Sequence, residues 1–104
     1  MESTLLDGID ISNWQEDINL EDVEFGFCIV KATDGTRFVD KTLHDFARRI
    51  LAMGKPFGFY HFANNPKRGG SAIEQARYFV DACKDYFGRG IPVLDWEDSD
   101  WKYG

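Results

Sequence analysis

The run Leu94-Asp95-Trp96-Glu97-Asp98 places acidic residues at the end of an otherwise apolar stretch. Side chains alternate along a strand, so Asp95 and Glu97 point to the same face with Cα atoms about 6.5 to 7 Å apart. Two carboxyls at that spacing can address one substrate. They also disfavour each other's ionisation, so one can stay protonated near neutral pH and serve as a general acid. Glycoside hydrolysis asks for this pairing: a proton for the leaving oxygen, and negative charge beside an oxocarbenium-like transition state. An exposed acidic strand end or a loop cap would have the same D-x-E spelling. Asp10 adds weight to the chemical reading, because it sits in Gly8-Ile9-Asp10-Ile11-Ser12 between two isoleucines. A carboxylate in a buried segment is costly unless hydrogen-bonded or functional. It either caps the following turn through Ser12 and Asn13, or meets Asp95 and Glu97 if the sheet curls.

Other chemistries fit less well. Carboxylates suit Mg²⁺ or Ca²⁺, and His61 could join them, but neither EF-hand spacing nor a His pair at ligand spacing is present. No metal and no cofactor is expected. There is no G-x-S-x-G elbow, and the histidines are His44 and His61 alone, which leaves a nucleophilic triad unsupported. Gly35 and the Gly69-Gly70 pair lack a phosphate-loop pattern and read as turns.

These residues need elements to carry them. Leu5 to Ile11 reads as a first strand. Asp17 to Glu24 reads as a short helical or turn connection. Phe25 to Ala32 is near-continuously apolar, as a strand buried on both faces requires. Between Asp40 and Met53, Leu43, Phe46, Ala47, Ile50 and Leu51 mark one helical face, with Gly54 placed for a left-handed cap. Pro56 to Phe62 reads as a third strand and Asn64 to Gly70 as a loop. Ser71 and Glu74 have capping-box spacing. The helix they open shows the stripe Ile73, Ala76, Phe79, Val80, Cys83 and Phe87, stopping at Gly88. Ile91 to Trp96 is a fourth strand. With no clean hairpin signal, this alternation implies α/β architecture with parallel strands and right-handed crossovers. An open doubly wound sheet and part of a β/α barrel both satisfy it. Four strands cannot close a barrel of eight.

Composition narrows the classes further. The 104 residues fit one domain. A net charge of -6 argues against a phosphate-backbone partner and against an anionic membrane, so neither nucleic acid nor membrane is expected. No apolar run approaches the roughly 20 residues of a membrane span. Met1 to Asp7 shows no signal-peptide pattern, so synthesis in the cytoplasm with later release is expected. Cys28 and Cys83 sit in apolar contexts and read as buried free thiols. The aromatic share of 15% is generous, and Tyr and Trp faces can stack on sugars as well as fill a core.

Four ordered segments then carry a resemblance. They are Gly8-Ile9-Asp10-Ile11-Ser12-Asn13-Trp14-Gln15, Ile29-Val30-Lys31-Ala32-Thr33-Asp34-Gly35, Gly58-Phe59-Tyr60-His61-Phe62-Ala63 and Val93-Leu94-Asp95-Trp96-Glu97. From Gly8 to about Trp101 the chain resembles the N-terminal half of glycoside hydrolase family 25, the Chalaropsis-type or cellosyl-like muramidases. The resemblance implies roughly half of an irregular TIM-like (β/α) barrel, with residues 1–104 as the N-terminal portion of a catalytic domain. It implies lysozyme activity of endolysin type on peptidoglycan glycan strands, at the β-1,4 bond between N-acetylmuramic acid and N-acetylglucosamine. Glu97 matches the general acid, Asp95 the group assisting the substrate acetamide, and Asp10 the first-strand acid that tunes them. Tyr60 and Trp14 resemble groove residues, with His61 and Lys31 as polar support. The family usually has Glu where this chain has Asp34. A half-barrel exposes strand edges, so a homodimer or a complementing fragment is expected. A glycan-binding module without turnover is the alternative function.

Overall fold

In a computed structural model of the chain, residues 7–97 are described. Leu5 and Leu6 of the expected first strand, Asp98 of the acidic run, and Trp101 at the end of the resemblance lie outside them. The elements run β1 (Gly8–Ile11), β2 (Phe27–Asp34), β3 (Phe38–Val39), α1 (Leu43–Met53), β4 (Phe57–Phe62), α2 (Pro66–Gly69), α3 (Ala72–Ala82) and β5 (Ile91–Asp95). Short 3-10 turns at Asn13–Gln15 and Leu20–Asp22 fill the β1–β2 connection.

β1, β2, β4 and β5 lie side by side in that order, all parallel, as the alternation of strands and helices predicts. Parallel register sorts their side chains onto two faces. Asp10, Ile29, Gly58 and Ile91 share one row, Lys31, Tyr60 and Val93 the next, and Asp34, Phe62 and Asp95 a third. The opposite face carries Cys28, Val30, Phe57 and Phe59, and on it the core is built with Leu43, Phe46 and Ile50 of α1. Val30, Phe59, Leu43 and Ile50 are completely buried. A fully buried side chain of that size contributes roughly 1.5–3 kcal/mol. The core therefore lies between sheet and helices, and the row of Asp10 faces away from it.

Both helices have the ends their sequences specify. Gly54 closes α1 in the left-handed conformation at φ 70°. Ser71 Oγ accepts from Glu74 N–H at 3.1 Å while Glu74 accepts from Ser71 N–H at 2.9 Å. Cys28 and Cys83 are buried and free, and burial pushes each thiol up to about 12.

Three expectations need correction. A hairpin does exist: β3 pairs antiparallel with the end of β2, Thr33 opposite Val39 and Asp34 opposite Phe38. Its three-residue loop opens on Gly35 at φ 59°, and Asp34-Gly35 was the turn signal. The Asn64–Gly70 loop contains α2, whose N-cap is Asn65 and whose first residue is Pro66, a pairing suited to a helix start. The apolar stripe of α3 is its buried face only in part: Phe79 and Cys83 pack on the core, but other members stay open. Gln75 is 2% exposed, whereas Ile73 and Val80 are 66% and 50% exposed. Periodicity finds an apolar face but cannot tell a buried one from one left open, and in α3 a glutamine with several partners turns inward instead.

Candidate active site

Asp95 closes β5, and its carbonyl accepts from Ala63 N–H at 2.9 Å, which locks the end of β5 to the end of β4. Glu97 follows two residues later. Asp10 enters from β1, opposite Ile29. Tyr60 rises from β4, in register with Val93. Together Asp10, Tyr60, Asp95 and Glu97, with Ile29, Val93 and Leu94, line an open recess of about 350 Å³. The residues that meet there come from four strands spread along the sequence.

The electrostatics of the recess follow from crowding. The Asp95 carboxyl stands close enough to Glu97 to raise its pKa, first as a hydrogen-bonding neighbour and then as a charge. The Asp95 charge and some loss of water add to the rise, Lys31 opposes it, and Asp10 contributes last. A carboxyl beside another favours the protonated form, which is the direction a general acid needs. Tyr60 is pushed up to about 12, first by burial and then by Asp10, Asp95, Asp40 and Glu97. Its phenol therefore stays protonated beside the acids and can donate a hydrogen bond.

The other expected residues are placed less uniformly. Lys31 is in register with Tyr60 and holds Asp34 at 3.3 Å. Its ammonium lies 5.1 Å from the Phe62 ring centre and 5.4 Å from that of Phe38. Trp14 is 87% exposed in the turn after β1 and does not line the recess. That turn is capped by Ser12, whose Oγ accepts from Trp14 N–H at 3.2 Å while Gln15 accepts from Ser12 N–H. The capping role open to Asp10 is thus filled by Ser12. His61 is buried on the helix side of the sheet, bonded to Thr33 at 2.7 Å and to Gln75 Oε1 at 2.8 Å. Gln75 Nε2 donates to the carbonyls of Asn64 and Gly70, which makes Oε1 the acceptor and puts a hydrogen on His61 Nε2. The structure does not bring His61 to the acid recess.

Sequence reasoning passed over two polar residues near the site. Asp40, 1% exposed, accepts from Asn13 N–H at 3.0 Å and from Thr42 N–H and Oγ1 at 2.9 and 2.5 Å, and so ties the turn after β1 to the start of α1. Asn64 donates to Asp34 at 2.7 Å. Their links to the site carry no spacing signature, because Asp40 reaches Asn13 and Asn64 reaches Asp34 across long sequence separations. Among the described residues, no group of three or more His, Cys, Asp or Glu is disposed to hold a metal ion.

The sequence profile described as glycosyl hydrolases family 25 matches residues 9–103. Lysozyme M1 of Streptomyces globisporus is 37% identical over 76 residues, which cover 70% of this chain and 25% of that protein. The solved catalytic domain of endolysin ply40 from bacteriophage P40 of Listeria monocytogenes superposes with a TM-score of 0.76 at 30% identity, covering 99% of this chain and 53% of that one. A bacterial lysozyme from Streptomyces coelicolor gives a TM-score of 0.71 at 29% identity, covering 89% and 45%. The chain thus spans about half the length of these solved structures and a quarter of the curated relative.

Proposed function

The chain belongs to glycosyl hydrolase family 25, and on that footing we propose that it is a muramidase, cleaving the β-1,4 bond between N-acetylmuramic acid and N-acetylglucosamine in peptidoglycan. The observation that carries this reading is the recess that Asp95 and Glu97 share with Asp10, in which Asp95 raises the Glu97 pKa. Glu97, kept protonated by its neighbour, delivers its proton to the glycosidic oxygen. Once that proton has left, two carboxylates face each other, and their repulsion favours reprotonation of Glu97 from the water that completes hydrolysis. Asp95 holds the substrate acetamide or stabilises the positive charge that develops beside it, and Asp10 orients and tunes the pair. Tyr60 donates to the sugar from the floor of the recess. Trp14 and Lys31 meet the glycan at its margin, and His61 supports the strand that carries Tyr60.

Purified cell walls incubated with the wild-type chain and with Glu97→Gln test the assignment. Clearing by the wild type and a loss of at least about 100-fold in the variant are expected for a general acid. Equal clearing by both would remove Glu97 from the mechanism.

No helix among the described residues is long and apolar enough to cross a membrane. Action at the cell wall after cytoplasmic synthesis and release belongs to the same proposal. A second reading rests on the surface beside β5. Ile73, Val80, Leu94 and Trp96 are exposed there, around an apolar groove of about 450 Å³ between α3 and β5. Such a surface suits pairing with a second polypeptide, either another copy or a complementing fragment. In that case the residues act within an assembly, or hold glycan without turnover.

A further inference from the structure

Among the described residues, Lys31 is the cation that lowers the Glu97 pKa, and the structure surrounds it with side chains that define its position. Its ammonium is 3.3 Å from Asp34 Oδ2, beside the Phe62 ring, and Phe62 is the register partner of Asp95. Its side chain is 15% exposed, so the ammonium has little freedom to swing into solvent. Asp34 in turn is held from its other oxygen, which accepts from Asn64 Nδ2 at 2.7 Å.

Asn64 is clamped by its backbone. Its N–H donates to Gln75 Oε1 at 3.0 Å and its carbonyl accepts from Gln75 Nε2 at 2.7 Å. The segment comes this close because two glycines meet where β2 ends. A Cβ on Gly69 would lie 2.5 Å from Asn64 Cβ, and one on Gly35 would lie 3.2 Å from Gly69 Cα. A partly buried polar chain therefore runs from α3 through Gln75, Asn64 and Asp34 to Lys31. Such chains fix geometry when every member is satisfied.

We propose that Asp34 is a positioning residue for the carboxyl pair: pinned by Asn64 and Gln75, it sets the Lys31 ammonium at the rim of the recess that holds Asp95 and Glu97. This rests on the reading of Glu97 as proton donor, because the placed cation limits how firmly Glu97 keeps its proton. The charged and titratable groups facing Glu97 are Asp95 from β5, Asp10 from β1 and Lys31 from β2, with Tyr60 from β4 lining the same recess. Of these described groups, Lys31 is the one that opposes the carboxylates.

The test is the Glu97 titration midpoint, read by carboxyl-carbon NMR in the full chain without substrate. Lys31→Met is expected to raise it. Asp34→Asn keeps an acceptor for Asn64 but loses the charge that anchors Lys31, and is expected to raise it too, with the double variant rising no further than Lys31→Met. Asp34→Glu restores the wild-type midpoint. A lowered midpoint in Asp34→Asn, the bare effect of removing a negative charge, would overturn the proposal, as would an unchanged one or additive shifts in the double variant. If Asp34→Asn loses its fold by circular dichroism, Asn64→Ala reads the same link with every charge kept: a raised midpoint supports the proposal and an unchanged one overturns it. No substrate enters this measurement, so failure of the wild-type chain to clear cell walls sinks the muramidase reading separately.

Discussion

At Glu97 the dominant neighbour is another carboxyl, and at Glu21 it is the Arg49 guanidinium. The two therefore give stability opposite pH dependences. Glu97 has a folded pKa above its unfolded value, so the native state binds more protons in that window. Its contribution is complete below the unfolded value and is lost as pH rises through the folded one. Glu97→Gln, neutral at every pH, is expected to be less destabilised by a rise to neutrality than the wild type, as urea midpoints at pH 5 and 7 would register. Glu21 is lowered from 4.5 to about 2, chiefly by its hydrogen bond from Arg49. Its contribution is present above about pH 4.5 and disappears as pH falls towards 2, so Glu21→Gln should cost stability at pH 7 but not at pH 2. Both residues are exposed, and added salt should shrink both effects. The D-x-E spacing made the carboxyl pair legible in the sequence. The Arg49–Glu21 pair, 28 residues apart, left no such trace.

Among the elements, local chemistry and long-range contact divide the work differently. The Ser71–Glu74 box and the Gly54 cap depend on residues within one turn, and both stood where the sequence put them. Removing the first by Ser71→Ala should cost about 1 kcal/mol of unfolding free energy. Gly69 was readable only as turn chemistry, although the structure uses it for close approach. Gly69→Ala would force a Cβ to 2.5 Å from Asn64 and 3.1 Å from Gly35. An overpacking cost of roughly 1–3 kcal/mol in a denaturant series is expected. The inward turn of Gln75 escaped periodicity altogether. A glutamine reads as surface until its partners His61, Asn64 and Gly70 are assembled around it.

For the whole molecule the largest group of exposed apolar side chains lies on the α3–β5 side. Ile91 and Leu94 are 69% and 61% exposed at the end of the strand order, and Leu94 lines the groove along α3. Light scattering over a concentration series should find the chain associating. Leu94→Lys should return it towards monomer, since a charge on an edge strand opposes pairing. With a net charge of -6, copies of the chain repel, so self-association should strengthen with salt, whereas a clean monomer at all salts would remove the pairing proposal.

What the sequence determined by itself is what depends on neighbours in the chain. The strand-helix alternation fixes a parallel α/β sheet through its connection lengths, the caps follow from their side chains, and the carboxyl pair from strand alternation. Tertiary structure alone decided which of these meet. Register places Asp10 and Tyr60 with Asp95 and Glu97, and leaves His61 on the other face. Packing turns Gln75 inward and Ile73 outward. Those outcomes depend on contacts between residues far apart in the chain, which a single sequence records only as unpaired halves.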